Sequence, residues 1–74
     1  MKSEIIDNSE LETLSNEELL KRTKDRGVTL YLYNGAIKQL CVNDFLGFDD
    51  TKSIFYTKTA ITIALNEVDH MEIH

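Results

Sequence analysis

Seventy-four residues, a net charge of −5 and a single cysteine leave room for one small domain. A chain this short buries only about 60% of its unfolded surface, so its core gives little stability margin and oligomerisation is expected. Cys41 excludes an intramolecular disulfide, and no Cys/His grouping has zinc-site spacing. No apolar run approaches the ~18 residues of a membrane span. The first residues lack the basic and apolar regions of a secretory signal, so a cytoplasmic, soluble protein without membrane contact is expected.

Charge is distributed in blocks. Residues 1–18 carry −5, residues 19–41 carry +4, and the remainder carries −4. The acidic total argues against strong nonspecific nucleic-acid binding, while the basic block can still form a local patch.

The first predicted element is a helix over about residues 16–26. Ser15 and Glu18 form a capping-box pair, with Leu14 and Leu19 as its hydrophobic staple. Lys21, Arg22, Lys24 and Arg26 complement the helix dipole, and Gly27 supplies a left-handed terminator. Period-two alternation follows through Val28, Leu30 and Leu32. Asn34-Gly35 predicts a type I′ hairpin, and a second strand covers residues 36–42. Residues 43–52, with Asp44, Asp49 and Asp50, read as a bend or loop rather than a calcium site. Further strands are predicted over residues 53–57 and 59–65. Residues 68–73 read as a short last strand or a polar tail. The layout is mainly β with one N-terminal α-helix.

The stretch from Lys21 through Val28-Thr29-Leu30-Tyr31-Leu32-Tyr33-Asn34-Gly35 resembles the bacterial Hfq RNA chaperones, a branch of the Sm-like proteins. The resemblance continues through Gln39, Val42, Phe45 and Phe48, then Lys58-Thr59-Ala60-Ile61-Thr62. It implies a strongly bent, five-stranded Sm-like barrel over residues 14–66, behind a flexible acidic arm at 1–13 and ahead of a strand end or polar tail at 67–74. It also implies a homohexameric ring that binds small RNAs and mRNAs in post-transcriptional regulation, with no catalysis and no cofactor. Phe48 and Lys58 match the family's uridine site, Tyr31 and Gln39 its adenine face, and Arg22, with Lys21 and Lys24 nearby, its rim. Thr59 stands where the family has a histidine, so A-rich single strands are expected to bind better than U-rich ones.

Each of these residues also has an ordinary structural reading. Phe45 and Phe48 are good core residues, Tyr31 and Tyr33 suit a strand, and the four cations suit a solvated helix end. His70 and His74 are four apart, which on a helix could hold a metal, but a polar tail is the expectation. Cys41 reads as a buried small hydrophobe. No nucleophile–base pair or phosphate loop is present, so no enzyme is expected. The second functional reading is a small protein–protein interaction module without RNA contact.

Overall fold

In a computed structural model, which describes residues 3–49, 51, 54–58 and 61–74, the N-terminal segment is ordered rather than a flexible arm. Glu4–Asp7 form strand β1 and Asn8–Thr13 form helix α1. Asp7 caps α1 by accepting the Glu10 N–H at 2.8 Å. Ile6 and Leu11 are fully buried and anchor the segment. Two apolar anchors five positions apart, among acids, make no periodic signal, so charge alone misread them. Asn8 Nδ2 further donates to the carbonyls of Leu65 and Val68 at 3.2 and 2.9 Å.

Helix α2 spans Asn16–Thr23 and starts at the predicted cap, with Ser15 Oγ accepting the Glu18 N–H at 3.1 Å. Leu19 is buried, and Leu14 and Leu20 pack against the core. The helix stops three residues short of the expected end. Thr23 turns its hydroxyl back on the Leu19 carbonyl at 3.0 Å, and Asp25, not Gly27, takes the left-handed conformation.

The remaining strands are β2 (Val28–Leu32), β3 (Ile37–Leu40), β4 (Phe45–Phe48), β5 (Ile54–Thr57), β6 (Thr62–Ala64) and β7 (Val68–Ile73). They form two antiparallel sheets, ordered β1-β7-β2-β3 and β4-β5-β6. A 3-10 helix, Leu65–Glu67, carries the chain from β6 into β7. The end of the chain is therefore no tail: β7 is an interior strand bonded to β1 on one edge and β2 on the other. Its Met71 and Ile73 are fully buried, facing Leu30 and Val28 in register.

The β2–β3 hairpin differs in detail from the type I′ expectation. Gly35 N–H bonds the Leu32 carbonyl at 3.0 Å, and Leu32 N–H bonds Ala36 at 2.9 Å. Only Gly35, at φ +91°, has positive φ, so the loop has three residues with glycine at its left-handed position. Residues 43–52, expected as loop, contain β4. Phe-Leu-Gly-Phe gives no clean alternation because the pairing with β5 shifts between Phe45 and Gly47.

The fold is mainly β with two helices instead of one. Among the described residues seven short strands stand where five were expected, and their pairing does not close a barrel. The break falls at the turn after β3, where Asn43 is left-handed and Asp44 N–H bonds the Cys41 carbonyl at 3.0 Å. Phe45, Phe48 and Phe55 form the aromatic centre of the core, with ring centroids 5.5 and 5.8 Å from Phe55. Each such side chain contributes about 1.5–3 kcal/mol by burial.

Candidate functional site

Strand alternation sends every second residue of the four-stranded sheet outward. One outward row is Asp7, His70, Tyr31 and Ile37; the next is Ile5, Glu72, Thr29 and Gln39. The Tyr31 and His70 rings, cross-strand neighbours, stack at 4.4 Å with an 11° interplanar angle. Tyr31 donates its hydroxyl to Glu72 at 2.9 Å. That hydrogen bond, then partial desolvation, then the carboxylate charge, raise the phenol pKa above its ordinary value. Thr29 Oγ1 lies 2.6 Å from His74 Nε2.

At one end of this face Thr29, Gln39, Leu40, Cys41 and His74 line a shallow groove of about 380 Å³. On the edge strands of the face Ile5 and Ile37 each remain 56% exposed. Cys41 is exposed, not buried as expected, because it follows the last residue of β3 where the chain leaves the sheet.

Comparison with protein-family models, curated proteins and solved structures returns no match. The face must be read from its own chemistry.

The structure brings Tyr31 and Gln39 onto one surface, on adjacent strands. It separates the other expected residues from them. Phe48 is only 3% exposed, packed on Phe55, with its N–H bonded to Asn16 Oδ1 of α2 at 3.2 Å. In that position its ring is core rather than a stacking platform. Lys58 is exposed just past β5, its N–H bonded to the Asp44 carbonyl at 2.9 Å. Lys21 and Lys24 are exposed on the α2 end.

Arg22 is the expected rim residue, and carboxylates surround it. Its guanidinium lies 3.2 Å from Glu4, 3.3 Å from Glu10 and 3.7 Å from Glu18. Arg26 lies 3.9 Å from the same Glu4 and donates to the His74 carbonyl at 2.7 Å. The acidic segment thus neutralises part of the basic block, a pairing 18 residues apart that no local pattern announces.

Sequence reasoning also missed the partners of Tyr31. Reading His70, Glu72 and His74 at period two, against Met71 and Ile73, would have placed all three on one strand face. Four residues along a strand span ~13 Å, too far for one metal ion. Among the described residues no three His, Cys, Asp or Glu side chains gather as a metal site, and no helix is long and apolar enough to cross a membrane. Asp49 and Thr51 close a local turn, with Thr51 N–H and Oγ1 on Asp49 Oδ1. Asp50, Thr59 and Ala60 lie outside the described residues.

Proposed function

We propose that this chain is a small Sm-like β domain that recruits a protein partner through the outer face of its four-stranded sheet. The Sm-like part rests on chain order. A helix precedes the antiparallel groups β2-β3 and β4-β5-β6, and a 3-10 turn returns β7 to the edge of β2.

The observation that carries the interaction reading is the composition of the face. Exposed Ile5 and Ile37 sit on the edge strands either side of a tyrosine–histidine stack, and the outward residues of the four strands include carboxylates but no Lys or Arg. Aliphatic and aromatic exposure of this kind suits a protein interface. Two rows on four short strands make a small one, appropriate to a transient contact. RNA needs phosphate neutralisation, which acids beside Tyr31 oppose and which Arg22 and Arg26 supply only in competition with Glu4, Glu10 and Glu18. The observation that favours RNA instead is the shared face of Tyr31 and Gln39, since aromatic rings stack on bases and glutamine reads their edges.

Affinity purification of the tagged chain, split with and without nuclease, tests the choice. A protein retained by the wild type, insensitive to nuclease and lost from Ile37→Glu, is the expected result. Host RNA that copurifies, confirmed by absorbance ratio and lost from Tyr31→Ala, would overturn it in favour of the RNA reading. The ring belongs to the Sm-like proposal. The outer edges of β6 and β1 have no strand partner among the described residues, whereas both edges of β7 are filled, so β6 of one copy would meet an edge other than β7.

A further inference from the structure

We infer that the occupant of the outer sheet face is a positively charged protein segment that presents cationic and aliphatic side chains together on one side; this rests on the interaction reading above. Asp7 and Glu72 sit on the face and Asp69 borders it, 3.1 Å from His70 Nδ1. Each carboxylate has one oxygen engaged inside the chain: Asp7 with the Glu10 N–H, Glu72 with the Tyr31 hydroxyl, Asp69 with His70. The second oxygen of each is without a hydrogen-bond partner among the described residues. The face carries three carboxylates and no outward Lys or Arg to balance them.

A basic segment supplies the missing charge, and guanidinium groups also stack on aromatic rings and bind carboxylates in a fork. The apolar half of the requirement comes from Ile5 and Ile37, each 56% exposed on opposite edge strands of the sheet. Four strands at ~4.8 Å spacing, with a two-residue offset between their rows, put these two aliphatic positions ~16 Å apart, about the reach of four to five extended residues. Aliphatic anchors at that separation, with a cation on the same side between them, match an extended segment laid across the strands in which every second side chain faces the sheet. The same charge opposes stacking of a second copy through this face, because two acidic surfaces would meet.

The test uses the full ¹⁵N-labelled chain and three probes: an Arg-Leu peptide in which Leu and Arg take turns at every second position with Ser between, its Glu-Leu counterpart and a single-stranded oligoadenylate. The Arg-Leu peptide should shift the amides of Tyr31, His70 and Glu72, with affinity falling as salt rises. Glu72→Gln combined with Asp7→Asn, both near-isosteric and the latter retaining a helix cap, should weaken binding roughly tenfold. Failure of the Arg-Leu peptide to bind, or shifts confined to α1 and α2, overturns the inference. Equal binding of both peptides at the face, lost in Ile37→Glu, overturns the charge assignment while leaving the interaction reading in place. Oligoadenylate shifting the same amides overturns both.

Discussion

Replacing Gly47 by alanine probes how α2 is held on the second sheet. Gly47 sits in β4 at φ +99°, where any side chain strains the backbone by about 1–3 kcal/mol. Its Cβ would overlap the Asn16 carboxamide oxygen and come within 3.2 Å of Leu20 Cδ2. Asn16 must then swing away, and the Phe48 N–H loses its 3.2 Å acceptor. An unpaired buried donor costs a further ~1–3 kcal/mol, so the total is about 2–6 kcal/mol. A 74-residue domain holds roughly 4–11 kcal/mol altogether. The chain has no tryptophan, so urea unfolding is followed by far-ultraviolet circular dichroism. With a slope of about 1 kcal/mol per molar, the midpoint should fall by about 2 M or more. Two controls separate the causes. Gly35→Ala, at φ +91° with nothing within 4 Å, loses only the backbone term of roughly 1–2 kcal/mol. Gly27→Ala has a nearest contact at 3.6 Å and should be nearly neutral. A Gly47→Ala midpoint no lower than that of Gly35→Ala would refute the α2 contact.

Three further outcomes follow from the geometry. Ile6→Ala should destabilise by about 2–5 kcal/mol, because the side chain is fully buried; a loose arm would show no change in the same urea transition. In an ultraviolet pH titration one of the three tyrosines should ionise above the ordinary value of about 10 and return towards it in Glu72→Gln. Because Tyr31 is raised in the folded chain, its stabilisation is complete below the ordinary tyrosine pKa and disappears as pH rises through the folded value; a stability flat across that range counts against the Tyr31–Glu72 bond. Arg22→Gln should cost about 1–2 kcal/mol at low salt, since three carboxylates share that guanidinium, and much less at 0.5 M salt; a cost independent of salt would mean the network contributes little.

Local chemistry in the sequence was enough to determine the start of α2, the hairpin of β2 and β3, and the strand character of residues 54–57. Each depends on neighbours within a few positions: Ser15 on Glu18, Gly35 on Leu32, apolar residues on their alternates. Tertiary structure alone decided the rest. It ordered residues 4–13, because Ile6 pairs with Met71 of β7 and Asn8 bonds the Leu65 and Val68 carbonyls, some 60 residues away. It made 68–73 an interior strand, because β1 and β2, both from the first half of the chain, bracket it. It buried Phe48 and set Arg22 among carboxylates. It also assembled the outer face, joining Tyr31 to His70 and Glu72 across about 40 positions. Short-range patterns encode caps and turns because those bonds close within one turn of chain. Long-range burial and ion pairing depend on which strands meet, and only the fold specifies that.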